Sequence, residues 1–174
     1  MTALPSKSDK RDLTRIDIDL SSPLATDRLA SAIARLAQPK DVIALEGDLG
    51  AGKTHFARAF IRTLAPDAGD VPSPTFTLVQ SYAAATQSGP IEIWHFDLYR
   101  LKSAEEAYDL AIEDAFAEGI SLIEWPGKLG GLLPRRSLMI AFEILPDGAA
   151  RRAAVSGGPA WADRLAKLQR EWKQ

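Results

Sequence analysis

Gly47, Gly52, Lys53 and Thr54 stand in the spacing Gly-x4-Gly-Lys-Thr within the stretch LEGDLGAGKTHF. Gly47, Gly50 and Gly52 put three glycines into six residues. Successive backbone N–H groups in such a loop can cradle a polyphosphate, and side chains at the bends would obstruct that approach. A short apolar run, DVIALE, precedes the loop and an amphipathic segment follows it, the strand–loop–helix context of a P-loop. The pattern predicts a nucleotide site with the backbone of Asp48, Leu49, Gly50, Ala51 and Gly52 around the phosphates. Lys53 is expected to reach the β and γ phosphates, and the Thr54 hydroxyl to ligate magnesium. No Asn-Lys-x-Asp segment for reading guanine occurs, so ATP is the expected nucleotide. VSGGP near Gly157 only imitates the Leu-Ser-Gly-Gly-Gln signature of ABC ATPases and is set aside.

A P-loop enzyme needs a further magnesium carboxylate at the end of a neighbouring strand. Asp97 ends IEIWHFD and Glu124 ends ISLIE, each an acid at the tip of an apolar run, where ligands gather in α/β folds. Both are candidate metal and catalytic groups; their positions leave open which holds the metal and which orients water. The chain has no Cys and two histidines, His55 and His95, so a metal must rest on carboxylates and hydroxyls, a donor set suited to magnesium. His95 shares a strand face with Asp97 and reads first as a strand histidine with a satisfied hydrogen bond. His55 reads as a polar-face residue of the P-loop helix, Arg100 as a surface or ion-paired arginine, and Trp125 as either core or site.

The elements that must carry these groups follow from the apolar periodicity. TRIDIDL alternates like a strand. A helix is expected over SSPLATDRLASAIARLA, with Ser22 as N-cap and Pro23 at its first position. DVIALE and ISLIEW read as buried parallel strands. Phe56, Phe60 and Leu64 predict a helix ending near Pro66. TFTLVQSY and IEIWHFDLY are expected to pair as a hairpin. Ser103 and Glu106 form a capping box for one helix through AEEAYDLAIEDAFAEG. GKLGGLLPRR reads as a loop, SLMIAFEIL and RRAAVS as a second strand pair around Asp147-Gly148, and WADRLAKLQREW as a closing helix docked on the sheet. The expected fold is α/β: a single P-loop NTPase-like domain over 14–174 with a mixed parallel and antiparallel sheet flanked by helices, after a flexible tail over 1–13.

Composition narrows the function. The chain has 174 residues and net charge −2, which argues against strong nucleic-acid binding by this chain alone. Residues 1–13 lack the apolar segment of a signal peptide and no run is long enough to span a membrane, so a cytoplasmic protein without membrane contact is expected. A small-molecule kinase would need a substrate lid with clustered arginines, and none is visible. A nucleotide-gated binding module is disfavoured by the two strand-end acids.

GDLGAGKTHFARAF, SPTFTLVQSY, HFDLYRL and LIEWP follow one another in an order and spacing that resembles the bacterial TsaE (YjeE) family, over roughly residues 22–134. That family comprises small ATPases required for threonylcarbamoyladenosine modification of tRNA. The resemblance implies that Lys53 and Thr54 bind phosphate and magnesium, and that Ser73, Pro74 and Thr75 form a switch-like loop near the γ phosphate. It implies that Asp97 and Glu124 belong to the active site, and that Thr26 and Trp125 lie near the nucleotide. It further implies weak ATP hydrolysis by the chain alone and action on a complex of the TsaD ligase with its paralogue TsaB, tRNA being reached only through that complex. One departure stands out: family members often carry a second Thr after Lys-Thr, where this chain has His55.

Overall fold

The computed structural model describes residues 13–146 and 148–173. The tail expected over 1–13, apart from Leu13, and Asp147 of the expected turn lie outside the described residues. The chain runs β1 (Thr14–Leu20), α1 (Pro23–Leu36), β2 (Val42–Glu46), α2 (Lys53–Leu64), β3 (Val79–Thr86), β4 (Gly89–Asp97), α3 (Ile112–Glu118), β5 (Ile120–Glu124), β6 (Leu138–Ile144), β7 (Arg151–Gly157) and α4 (Pro159–Trp172). Among the described residues the strands form one seven-stranded sheet ordered β1-β7-β6-β2-β5-β4-β3. Its middle is parallel, with β2 between β6 and β5 and β4 beyond β5. Its flanks are antiparallel: β3 on β4, and β7 on β6 and β1. This is the mixed α/β sheet that the sequence predicts.

The central strands are buried on both faces, which is why VIALE and ISLIE read as continuous apolar runs. Ile43, Leu45 and Leu122 enter a core with Leu29 and Ile33 of α1, Phe56 and Phe60 of α2, and Trp161, Leu165 and Leu168 of α4. Val42, Phe96 and Ile123 point to the opposite face, against Ala107, Ile112 and Leu129. Ser22 caps α1, its Oγ accepting the Ala25 N–H at 3.3 Å, and Pro23 opens the helix as expected.

Four local expectations fail. The helix foreseen through residues 104–118 is broken: a 3₁₀ segment, Ala104–Leu110, gives way to α3 at Ala111, whose φ is +56°. Apolar periodicity survives such a break because both pieces bury their small and branched residues on the sheet. The capping box is altered as well: Glu106 accepts the Lys102 N–H at 3.1 Å, and the Ser103 side chain makes no cap bond. Thr75, Phe76 and Thr77 form a turn, and β3 starts only at Val79 and ends in a two-residue hairpin connection after Thr86. Finally, the loop expected at GKLGGLLPRR is partly 3₁₀, over Pro126–Leu132.

Arg164 of α4 ties the sheet's helical face together. Its Nη1 donates to the Leu36 carbonyl at 3.1 Å, its Nη2 donates to Asp41 Oδ1 at 3.1 Å, and its guanidinium lies 3.5 Å from the Trp161 ring centroid. The paired side chains keep only 14% and 12% of their exposure. Arg164→Ala leaves the Asp41 carboxylate only the Gln38 N–H and is expected to lower stability by about 2 kcal/mol in urea unfolding. Arg164→Lys, which lacks the planar fork, is expected to recover less than half of that loss.

Candidate functional site

The parallel strands deliver three acids to one end of the sheet: Glu46 ends β2, Glu124 ends β5 and Asp97 ends β4. Asp97 and Glu124 are register partners on adjacent strands and both are buried. The loop from Gly47 to Gly52 arches over this end and feeds α2. Gly52 is the N-cap of α2 at φ +111°, a conformation that suits glycine. A Cβ placed on Gly50 or Gly52 meets nothing within 4 Å, so these two glycines face open space where phosphates would lie. Gly47 has a different cause. A Cβ there would stand 2.6 Å from the Phe142 carbonyl oxygen of β6 and 3.2 Å from the Ala51 Cβ. The expectation that all three glycines clear a path for phosphate is therefore corrected at Gly47, which lets the loop lie against β6.

Lys53 folds into the loop. Its Nζ donates to the carbonyls of Gly47 at 2.6 Å and Asp48 at 2.8 Å, and it stands 4.1 Å from the Trp125 ring centroid. Burial pushes its ammonium below the ordinary lysine value, against the opposing pull of Glu124, Asp97 and Asp48. Thr54 Oγ1 donates to Glu124 Oε2 at 2.8 Å. The other oxygen of Glu124 meets His95 Nε2 at 2.9 Å. Thr75 Oγ1 donates to Asp97 Oδ2 at 3.3 Å and lies 2.7 Å from Ser73 Oγ. The second Asp97 oxygen accepts the Tyr99 N–H at 3.1 Å.

Leu49, Gly50, Gly52, Lys53, Thr54, Thr75, Asp97, Glu124 and Trp125 all line one cavity of about 380 Å³, joined by His55, Tyr99 and Arg100. Asp48 contributes its carbonyl to Lys53, and Ala51 is buried behind the loop. Thr26 is not in this cavity. It lines a neighbouring one of about 210 Å³, on the other side of Gly50–Gly52, with Ser22, His55 and Arg151. The two spaces share Gly50, Gly52 and His55, so Thr26 stands across the loop from the acids.

The acids are not equivalent. Glu124 is tied to the first turn of α2 through Thr54, whereas Asp97 is tied to the turn carrying Thr75. The donor set of two carboxylates and a hydroxyl would suit a hard divalent ion that takes its remaining ligands from elsewhere. Among the described residues no cluster of three or more His, Cys, Asp or Glu is placed to enclose a metal by itself.

His55 pairs with Asp27 of α1 at 2.7 Å, both half-exposed, as a polar-face residue should. Arg100 lies over the Phe76 ring at 4.7 Å, and among the described residues it makes no ion pair. Trp125 is neither plain core nor free: its φ is +61°, and Tyr99 packs on it with centroids 4.9 Å apart. Tyr99 is the site residue that sequence reasoning missed. Its signal was its place two residues beyond the strand-end Asp97, within HFDLYR.

Gly47→Ala forces a methyl into the β6 backbone, whereas Gly50→Ala adds one to open space at φ +77°. Urea unfolding is expected to show Gly47→Ala as the less stable by at least about 1 kcal/mol. Equal stabilities would remove the role of the Phe142 contact.

A family model described as threonylcarbamoyl adenosine biosynthesis protein TsaE matches residues 20–153. The tRNA threonylcarbamoyladenosine biosynthesis protein TsaE of Rickettsia conorii is 40% identical over 128 residues, covering 74% of this chain and 71% of the relative. The protein of the same description from Bacillus subtilis is 37% identical over 127 residues, covering 72% of this chain and 76% of the relative. Among solved structures, that of Bacillus subtilis YdiB superposes with a TM-score of 0.73 at 27% identity, over 91% of this chain and 97% of that one.

Proposed function

The chain belongs to the TsaE family, and from that premise we propose that it is a P-loop ATPase serving threonylcarbamoyladenosine modification of tRNA through a TsaD–TsaB complex. The functional unit is residues 14–174, and the setting is the cytoplasm. Among the described residues no helix is long and apolar enough to cross a membrane. The observation that carries the reading is the Thr54–Glu124 bond at 2.8 Å, which joins the P-loop helix to a strand-end acid beside Asp97.

In this reading the amides from Asp48 to Gly52 hold the phosphates, and Lys53 neutralises their charge from within the loop. The nucleoside end lies toward Thr26. Thr54, Glu124 and Asp97 would hold magnesium, which supplies Lewis-acid neutralisation of the phosphate oxygens when bound. Glu124 sits on the metal side, because its partner is the P-loop hydroxyl. Asp97 sits on the water side, because its partner Thr75 belongs to the turn that faces the γ phosphate. Trp125 and Tyr99 form the wall opposite the loop. Hydrolysis by the chain alone is slow, since the side chains of the Ser73–Thr75 segment reach Asp97 only through one long hydrogen bond from Thr75. A partner surface that orders this turn would complete the site.

A steady-state ATPase assay with the purified chain, with TsaD or TsaB alone and with both tests this. Both partners together are expected to raise the rate. In the stimulated mixture, Asp97→Asn and Glu124→Gln are each expected to cost on the order of a hundredfold, and Lys53→Ala to abolish nucleotide binding in calorimetry. Equal rates in every mixture would defeat the partner-dependent reading, and wild-type nucleotide affinity in Lys53→Ala would defeat the P-loop site itself.

A further inference from the structure

We propose that His95 is a positioning residue, which holds Glu124 in place from a strand that does not move with the P-loop. The proposal rests on the assignment of Glu124 to the magnesium–ATP site.

His95 lies two residues before Asp97 on β4 and on the same face. Its ring is completely buried and reaches across to the tip of β5, where Nε2 meets Glu124 Oε1 at 2.9 Å. It does not line the cavity, so it acts on bound nucleotide only through Glu124. Its other nitrogen, Nδ1, is buried with no hydrogen-bond partner. A phenylalanine or leucine would fill this interior position without stranding a polar atom, so packing does not account for the histidine. Its one polar contact is the carboxylate.

The two Glu124 oxygens are thus claimed by different elements. Thr54 holds Oε2 and belongs to the first turn of α2, so that bond shifts whenever the phosphate loop adjusts. His95 holds Oε1 and belongs to β4, whose backbone is laddered to β5 from Ile93 to Asp97. With His95 in place, Glu124 keeps its orientation when Thr54 turns its hydroxyl elsewhere. Without it, a buried carboxylate retains a single hydrogen-bond donor, Thr54, and is free to rotate. The geometry requires the hydrogen of the ring to sit on Nε2.

The experiment uses the full chain. A glutamine places its amide nitrogen where the imidazole has Nε2, whereas an asparagine places it at Nδ1, out of reach of Glu124. Magnesium-dependent enhancement of ATP affinity and single-turnover hydrolysis are measured for wild type, His95→Gln, His95→Asn and Glu124→Gln. His95→Asn is expected to lose about tenfold or more in both, with affinity in the absence of magnesium unchanged, and His95→Gln to recover to within about threefold of wild type. An equally impaired His95→Gln shows that the ring is structural and overturns the proposal. A wild-type response in His95→Asn beside an impaired Glu124→Gln overturns it too. A wild-type response in Glu124→Gln instead overturns the site assignment beneath it. Nitrogen-15 spectra of the wild-type histidine rings, which need no variant to fold, are expected to show the Nε2–H tautomer at His95. A ring protonated on Nδ1 alone overturns the proposal.

Discussion

Glu124 is a carboxylate almost wholly withdrawn from water at the end of a buried strand. An isolated charge in that position is prohibitively costly unless donors and a countercharge compensate it. The compensation arrives from three residues: a hydroxyl from Thr54, a ring nitrogen from His95, and the nearby ammonium of Lys53. Two of these stand at the head of α2 and the third lies on β4. They converge only if β5 lies between β2 and β4, which is the strand order observed. Sheet order and site chemistry are therefore one constraint. A topology that separated β5 from β2 would leave the acid with His95 alone, without Thr54 and Lys53.

Around this dry floor the site is open. Leu49 and Phe76 are more than four-fifths exposed, and Tyr99 is about half exposed. All three belong to loops, whereas Asp97, Glu124 and Lys53 belong to strand ends and a helix start. Local opening free energies fall toward the loops and rise toward the core strands. Asp97, Glu124 and Lys53 are thus held by the most stable elements, and Leu49, Phe76 and Tyr99 by the least stable. In the proposed function, this division leaves the rim free to meet another protein while the charged floor stays put.

Much of this was legible in the sequence because it is local. A loop spacing, an apolar run and an acid after it are patterns within ten residues, and they located Gly47–Thr54, Asp97 and Glu124. Ser22 and Pro23 likewise mark the start of α1 through a bond three residues away. What remained hidden depends on residues far apart in the chain. Nothing in the sequence says that Gly47 must clear the Phe142 carbonyl or that His95 reaches Glu124 on the adjacent strand. Nor does it say that Tyr99 packs on Trp125. The break at Ala111 was hidden for a different reason: both pieces keep helical spacing, and one residue at φ +56° leaves no trace in apolar periodicity. The turn at Thr75 was misread as strand because Thr, Phe, Thr and Leu favour strands, yet a positive φ at Leu78 and the Leu78 N–H to Pro74 carbonyl bond close the turn first.

The lysine shows how such a site prepares for charge before charge arrives. An ammonium has three donors and no acceptor. In Lys53 two of them go to the Gly47 and Asp48 carbonyls, which belong to the same loop that would cradle the phosphates. These bonds hold the cation inside the loop rather than free on a flexible stem, so little side-chain entropy remains to be lost when an anion binds. The Trp125 face stands beside the ammonium at 4.1 Å and offers a weak, non-directional partner. In the proposed function, a phosphate oxygen approaching the ammonium would compete with that ring face. Trp125, held at φ +61° and packed on Tyr99, is the aromatic side of the lysine's surroundings. The loop carbonyls set where the charge sits, and the indole screens it from water.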